Sequence, residues 1–163
     1  MATRPAYERL DLSQTPLERM KAVHEDLTRD PNYEGWDTQA FRPLHLISAD
    51  FGRVEFEFTV TAAMCNKSGN LSGGFAATVL DTATSMCLLT AAKPGFMDGG
   101  SVSRSLNCTF LRPLPIGSKV RLVGEVVQGG KTLSNVKGEL RTLDGRTCVS
   151  CIHDKVEMPR ANI

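Results

Sequence analysis

The chain has 163 residues, of which 41% are hydrophobic and 23% are charged, and its formal net charge is +1. These values are typical of one soluble globular domain. Lys and Arg are scattered among Asp and Glu, which argues against a nucleic-acid partner. The absence of a long apolar run argues against a stable membrane anchor. The first residues lack the apolar stretch of a secretory signal, so we expect a cytoplasmic location, with a mitochondrial one as the alternative.

Cysteine usage points to a reducing compartment. The five cysteines form an odd set: Cys65, Cys87, Cys108, Cys148 and Cys151. An odd count without a secretory signal argues against a disulfide framework. Cys148 and Cys151 are spaced C-x-x-C, but the chain has no second such pair and its histidines are dispersed. We therefore expect buried apolar thiols and no metal site or dissociable cofactor.

Residues 1–40 are predicted to form an N-terminal helical extension. Thr15 followed by Pro16 is typical of a capped helix start, and the segment LERMKAVHEDLTRD has apolar residues at spacings of three and four. The next stretch, DPNYEGWDTQ, is rich in residues that break regular structure and is predicted to be a turn. Tyr33 and Trp36 within it are expected to anchor the extension.

The main domain is predicted over residues 41–158, with a short tail at 159–163. Two strands, PLHLISAD and GRVEFEFTV, precede a long apolar helix over 73–92. Four further strands follow, separated by short turns: SVSRSLNCTFLRP, SKVRLVGEVVQ, TLSNVKGELRTL and RTCVSCIHDKVEM. The fold class is therefore α+β, with a helix wrapped by an antiparallel sheet.

One carboxylate interrupts the apolar helix. Asp81 is the only charged residue between Lys67 and Lys93, and the residues around it leave no clear polar face, so the helix is predicted to be buried nearly all round. An ionised group there is costly unless it is paired, hydrogen-bonded or open to a cleft. Asp81 therefore either has a structural role, accepting backbone hydrogen bonds or pairing with an arginine, or serves as a general base or nucleophile.

The start of the same helix has the features of an anion site. Ser72 is predicted as the N-cap, and Gly73 and Gly74 leave backbone N–H groups uncovered at the positive end of the helix dipole. Such groups suit a polarised carbonyl oxygen. The alternative is that the two glycines only permit close packing against a strand.

Helix geometry separates these two features. Asp81 follows Gly74 by seven residues, so both lie on one face but about 10 Å apart along the axis. One carbonyl carbon is not easily reached from both on the same helix. We therefore hypothesise a dimer with antiparallel helices, in which Gly73 of one chain faces Asp81 of the other.

The motif combination resembles the hotdog-fold acyl-CoA thioesterases, and within them the phenylacetate-pathway type. It consists of Asn66-x5-Ser72-Gly73-Gly74-x6-Asp81, then Val102-Ser103, then Gly130-Lys131-Thr132-Leu133. The resemblance covers about residues 42–157. It implies a long helix wrapped by a five- or six-stranded antiparallel sheet, a homodimer or a homotetramer built of two dimers, and hydrolysis of a fatty or aromatic acyl-CoA.

The resemblance also implies residue roles. Asp81 would activate water or attack the thioester carbonyl, while the N–H of Gly73, helped by Gly74, would hold the carbonyl oxygen. Asn66 would orient the carbonyl or the water, and Ser103 would place the water beside Asp81. The residues implied to bind the substrate and its coenzyme A arm are Ser72, Phe110, Arg112, Gln128, Gly130, Lys131, Thr132 and Leu133.

Ser72 departs from the family signature, which is His-Gly-Gly. A backbone oxyanion hole does not need the imidazole, and serine is a good N-cap. The alternative function is therefore a protein that binds acyl-CoA or an acyl carrier protein thioester without hydrolysing it. A hotdog dehydratase is a third interpretation, disfavoured because no histidine is expected near Asp81: His45 and His153 lie in predicted strands and are interpreted as core or surface residues.

Overall fold

We analysed a computed structural model of the chain, which describes residues 10–29 and 35–158. The predictions for Tyr33, for the start of the turn-like stretch and for the tail at 159–163 lie outside the described residues. Among the described residues, no helix combines the length and the hydropathy needed to cross a membrane.

Two helices make up the described part of the N-terminal extension. Helix α1, Pro16–Arg29, begins after Thr15, which exchanges hydrogen bonds with Glu18 as expected for a capped start. Helix α2, Trp36–Phe41, corrects the turn prediction for this stretch. The reason is tertiary: Phe41 is 1% exposed and packs against Phe56 with ring centroids 5.3 Å apart, so burial outweighs weak local helix preference.

A six-stranded antiparallel sheet follows. Its strands are β1 (His45–Asp50), β2 (Arg53–Thr59), β3 (Ser101–Phe110), β4 (Lys119–Gly129), β5 (Leu133–Thr142) and β6 (Thr147–Glu157). The spatial order is β1-β2-β4-β5-β6-β3, which makes β1 and β3 the two edges. The connection from β2 to β3 contains the long helix, as the sequence predicts.

Helix α3, Gly73–Thr90, packs against the sheet. Contact is closest at Gly138 of β5, where a Cβ would come within 2.9 Å of Leu80 and Thr84 side-chain atoms. The predicted α+β architecture, a helix wrapped by a six-stranded sheet, is confirmed.

Helix α3 is not buried all round, which corrects the sequence interpretation. Gly74, Thr78, Asp81, Thr82 and Ser85 are exposed or half-buried and recur at spacings of three and four. They form one narrow polar stripe along the helix. Apart from Asp81, its members are uncharged small residues, so the stripe is hard to see in the sequence. The hydroxyl of Thr78 accepts a hydrogen bond from the Trp36 indole at 3.1 Å, so α2 is tied to this stripe.

Candidate active site

Asp81 lies on the polar stripe of α3, opposite β3 and β6. Its Oδ1 accepts a hydrogen bond from the Ser103 hydroxyl at 3.0 Å and lies 3.3 Å from Nε2 of His153. The Asp81 side chain is 46% exposed, whereas the His153 side chain is fully buried. The carboxylate therefore has one side held by protein donors and the other side open.

Lys155 contributes a buried cation to this cluster. The residue is only 3% exposed, and its Nζ donates to Ser85 Oγ at 2.7 Å and to Ser103 Oγ at 3.2 Å. Ser85 in turn donates to the backbone oxygen of Asp81 at 2.7 Å. Burial lowers the pKa of Lys155 from its ordinary value, and the Asp81 charge opposes that shift. We refer to Asp81, Ser85, Ser103, His153 and Lys155 as the carboxylate network.

His153 is neutral at physiological pH. Burial, reinforced by the neighbouring Lys155 charge, lowers the pKa of His153 to about 4, against the opposing effect of Asp81. Its Nδ1 lies 2.6 Å from the Thr84 hydroxyl, and its Nε2 lies 3.0 Å from Ser103 Oγ. The 3.3 Å contact between His153 and Asp81 is therefore an approach of a neutral ring to the carboxylate rather than an ion pair.

One sequence interpretation is wrong here, and one residue of the network was missed. His153 is buried as a core residue would be, but it contacts the Asp81 carboxylate, so a histidine does lie near Asp81. Lys155 was missed altogether. The available signal was the period-two pattern of β6, in which Cys151, His153 and Lys155 share the face that is turned toward α3. Polar residues on the inward face of a strand need partners, and Asp81 was the nearby candidate.

A groove of about 470 Å³ opens at the N-terminus of α3. It brings together four of the predicted site residues, Asn66, Gly73, Phe110 and Arg112, and Ala76 also lines it. A Cβ at Gly73 would lie 3.3 Å from the Phe110 ring, so the glycine gives the ring room beside the helix start. Among the described residues, none accepts a hydrogen bond from the N–H of Gly73 or Gly74.

Three polar side chains at this groove and at the helix start differ in their hydrogen bonds. Asn66 Oδ1 accepts from the backbone N–H of Ser68 at 2.9 Å and of Asn70 at 3.3 Å, which leaves its Nδ2 as a donor. Ser72 occupies the N-cap position as predicted but makes no side-chain capping bond. Arg112 is tethered by a 2.6 Å hydrogen bond to the Thr147 backbone oxygen.

The remaining predicted substrate-binding residues line a second groove of about 400 Å³. They are Gln128, Gly130, Lys131, Thr132 and Leu133. Arg104, Ser134, Asn135 and Asp154 complete its lining, and Arg104 is a cationic side chain that sequence reasoning did not select. The predicted residues thus fall into three places in one chain: the helix-start groove, the second groove and the carboxylate network. Within the described residues, no cluster of His, Cys, Asp and Glu has the arrangement of a metal site.

The chain resembles known proteins in both sequence and fold. The family model of the Thioesterase superfamily matches residues 68–149. Acyl-coenzyme A thioesterase 13 of Homo sapiens is 30% identical over 117 residues, which cover 71% of this chain and 76% of the human protein. The chain belongs to the thioesterase superfamily. This confirms the family resemblance and places the chain in a family of thioester hydrolases.

Solved structures support the fold assignment. Thioesterase superfamily member 2 of zebra fish superposes with a TM-score of 0.78 at 24% identity, covering 89% of this chain and 100% of that one. The Streptococcus mutans protein smu.793, solved with bound acetyl CoA, superposes with a TM-score of 0.67 at 15% identity, covering 83% of this chain and 100% of that one. The hotdog fold predicted from the sequence is thus confirmed.

Proposed function

We propose that the protein hydrolyses acyl-CoA thioesters, with Asp81 as the general base or nucleophile. The observation that carries this proposal is the half-exposed Asp81 carboxylate, which hydrogen-bonding partners orient on one side only. A carboxylate with one open oxygen can take a proton from water as the water attacks the thioester carbonyl. Collapse of the tetrahedral intermediate releases the free acid and the thiol of coenzyme A.

The oxyanion hole is proposed to be the N–H of Gly73, assisted by Gly74. Both groups lie at the positive end of the α3 dipole, Gly73 lines the helix-start groove, and neither N–H has an acceptor among the described residues. In this structure Asn66 retains an Nδ2 donor at the same groove, which suits its implied role of orienting the carbonyl.

Both parts of the site are proposed to act on one thioester across a dimer interface. Gly73 and Asp81 are eight residues apart on α3, or about 12 Å along its axis, which exceeds the reach of one carbonyl group. Strand β3 is an edge of the sheet and carries Ser103, so a second copy pairing along β3 would approach Asp81. Antiparallel helices in such a dimer would place Gly73 of one chain beside Asp81 of the other.

The substrate is proposed to be a fatty or aromatic acyl-CoA. The coenzyme A arm would use the helix-start groove and the second groove, where Arg112, Lys131 and Arg104 offer positive charge to its phosphates. Two similarities support a coenzyme A thioester: the human relative is named acyl-coenzyme A thioesterase 13, and smu.793 was solved with acetyl CoA.

Ser72 supports a second candidate, a protein that binds acyl-CoA or an acyl carrier protein thioester without turnover. It stands where the family signature has histidine, and its hydroxyl makes no capping bond in this structure. Release of free thiol from a panel of acyl-CoAs decides between the two functions. We expect Asp81→Asn to lower kcat about 100-fold or more with an unchanged melting temperature, because the side chain is half exposed. Binding of acyl-CoA by the wild type without thiol release above the variant would favour the second candidate.

Mixing two inactive variants tests the shared site. Gly73→Pro removes the N–H at the first helical position, where proline is tolerated, and the extended Ser72 backbone (φ −62°, ψ 136°) suits a following proline. If each site takes Gly73 from one chain and Asp81 from the other, mixed dimers of Gly73→Pro and Asp81→Asn contain one intact site. Activity should then return after co-refolding, and its failure to return in confirmed mixed dimers would place both residues in one subunit's site.

A further inference from the structure

We propose that Lys155 is a positioning residue for the proposed hydrolysis: through Ser103 it fixes the direction of the hydroxyl proton toward Asp81, so that the opposite carboxylate oxygen faces the water. The inference rests on the proposed function for its kinetic consequence. Its structural content, the direction of each hydrogen bond in the carboxylate network, stands on the contacts of the described residues alone.

Donor and acceptor capacities determine the Lys155 end of the network. The lysine amine can only donate here, and it reaches Ser85 Oγ at 2.7 Å and Ser103 Oγ at 3.2 Å. The Ser85 hydroxyl donates its own proton to the backbone oxygen of Asp81 at 2.7 Å. Ser103 therefore receives a hydrogen bond from Lys155 and must send its single proton elsewhere.

His153 determines where that proton goes. A Ser103 proton directed to Asp81 Oδ1, at 3.0 Å, requires that Nε2 of the neutral His153 ring carry a hydrogen. This tautomer makes Nδ1 an acceptor, so the Thr84 hydroxyl must give its single proton to Nδ1 at 2.6 Å rather than to the Leu80 backbone oxygen, which also lies at 2.6 Å. We assign it from the second contact of Nε2, which is with the Asp81 carboxylate. The other tautomer would set the bare Nε2 lone pair 3.3 Å from the Asp81 carboxylate, with both atoms acting as acceptors.

This assignment uses every hydrogen-bonding position of Ser103. A hydroxyl has one proton and two lone pairs, and here the proton goes to Asp81 while Lys155 and His153 occupy the lone pairs. The resemblance implies that Ser103 places the water, but in this network it has no position left to do so. Ser103 instead orients the carboxylate, which leaves Oδ2 of Asp81 as the oxygen that meets the water.

The charge of Lys155 strengthens the arrangement. The charged or titratable groups around it are Asp81 from α3 and His153 from its own strand; β3 presents the Ser103 hydroxyl and β5 the buried Ser134, which is paired with Lys155 in the ladder. The ammonium polarises Ser103 as a donor toward Asp81 and disfavours a second positive charge on His153. It contacts Asp81 through Ser103 rather than directly, so it acts by positioning.

The test compares Lys155→Met with the matched control Lys137→Met. Lys137 lies on the neighbouring strand, is 44% exposed and pairs with Glu139, away from the carboxylate network. Methionine keeps the unbranched stem of lysine, but the exchange leaves the hydroxyls of Ser85 and Ser103 without the donor that Lys155 supplies. We expect Lys155→Met to lower kcat about 10- to 100-fold with KM unchanged, and to lower the melting temperature because a buried donor is lost. We expect Lys137→Met to behave like the wild type, and Lys155→Arg to retain more activity than Lys155→Met.

A nitrogen NMR titration of His153 gives a readout independent of activity. We expect the Nε2–H tautomer in the wild type, and in Lys155→Met we expect the His153 pKa to rise from about 4, because the repelling ammonium is gone. If Lys155→Met does not fold, Lys155→Arg and Lys155→Gln give the same comparison, since only the former keeps the charge. In that comparison too, the charge-retaining variant should be the more active and should keep the lower His153 pKa.

Three results would overturn the inference. The first is a kcat for Lys155→Met within about twofold of the wild type. The second is an Nδ1–H tautomer of His153, and the third is an unchanged His153 titration in the variant without the lysine charge. Absence of thiol release from the wild type and Lys137→Met alike would instead overturn the proposed function. The tautomer and the titration of His153 would then test the positioning role of Lys155 without any activity measurement.

Discussion

The two ends of the proposed reaction are built in different ways. At the start of α3, the groups proposed to bind the substrate are the backbone N–H groups of Gly73 and Gly74, which local helix geometry positions. Two turns further along, Asp81 is set by side chains from β3 and β6 that are 22 and 72 residues away in the sequence. The first arrangement tolerates changes in neighbouring side chains, whereas the second depends on every member of a hydrogen-bonded set.

This difference explains why the Ser72 departure is compatible with the proposed function. A backbone donor is present whatever side chain precedes it, provided that the helix begins at Gly73. The carboxylate network has no such independence, because removal of one buried partner leaves another without its hydrogen bond. We therefore expect backbone changes to affect the helix-start groove most strongly, and side-chain changes to affect the carboxylate network.

The largest expected effect comes from removal of the Gly73 N–H. Gly73→Pro and Gly73→Ala both add a Cβ that would lie about 3.3 Å from the Phe110 ring, so the two variants share the same steric change. Only the proline removes the donor. Loss of one oxyanion donor typically costs about 100- to 1000-fold in kcat. We expect that ratio between the two variants in steady-state kinetics, with similar melting temperatures.

Equal kcat values for the proline and alanine variants would show that the Gly73 N–H does not bind the developing oxyanion. Gly74→Ala serves as the steric control, since a Cβ there meets nothing closer than Ser72 Oγ at 3.8 Å. It should reduce kcat less than Gly73→Ala does, because it leaves the Phe110 ring undisturbed.

The same contrast shows how much of the molecule was predictable from the sequence. The helix predicted over 73–92 is observed at Gly73–Thr90, and each predicted strand differs from the observed one by a few end residues. Alternation in strands and glycine at the helix start are local signals. Helix α2 was missed because its stability comes from burial of Phe41 against Phe56 rather than from its own sequence.

The candidate site divides in the same way. Gly73 and Asp81 were selected because each stands out in its own segment: a bare helix start and a single charge. Lys155 and His153 stand out in β6 only once its alternation shows that they share the inward face, because polar residues are ordinary on an outward face. The pairing of β6 with β3 places Lys155 opposite Ser103 and so brings both residues to Asp81. This register depends on the tertiary structure and is not readable from either strand alone.

A smaller effect is expected on pH-dependent stability through His153. Its pKa is about 4 in the folded chain against an ordinary 6.5, so the unfolded chain binds more protons between these values. The stabilisation is therefore complete above about pH 6.5 and is lost as pH falls toward 4. It amounts to roughly 3 kcal/mol of unfolding free energy. Urea unfolding at several pH values measures this slope.

His153→Asn should flatten the slope in that window relative to the wild type, because the remaining carboxylates titrate in both proteins. His45→Asn is the control, since His45 is exposed on the edge strand β1. An identical slope in the wild type and His153→Asn would mean that His153 is not held neutral by its surroundings. The hydrogen-bond directions assigned in the carboxylate network would then no longer hold.

The smallest expected effect separates the two tasks of Asn66. Its Oδ1 holds the loop by accepting the N–H groups of Ser68 and Asn70, while Nδ2 is the group proposed to reach the substrate. Asn66→Asp keeps the acceptors and removes the donor, whereas Asn66→Ala removes both. We expect Asn66→Asp to lower kcat about tenfold with little change in melting temperature. Asn66→Ala should also lose about 1 kcal/mol of unfolding free energy, because two loop N–H groups lose their partner.

If Asn66→Asp retained full activity, the side chain would serve only the loop, and the helix-start groove would act through backbone groups alone. That result would sharpen the contrast with the carboxylate network, because one half of the site would then contain no catalytic side chain. A tenfold loss would instead show that a side-chain donor supplements Gly73. Both regions would then use side chains, and they would differ only in how many. The Asn66 carboxamide, held by its loop, would support the oxyanion hole formed by the backbone at the start of α3.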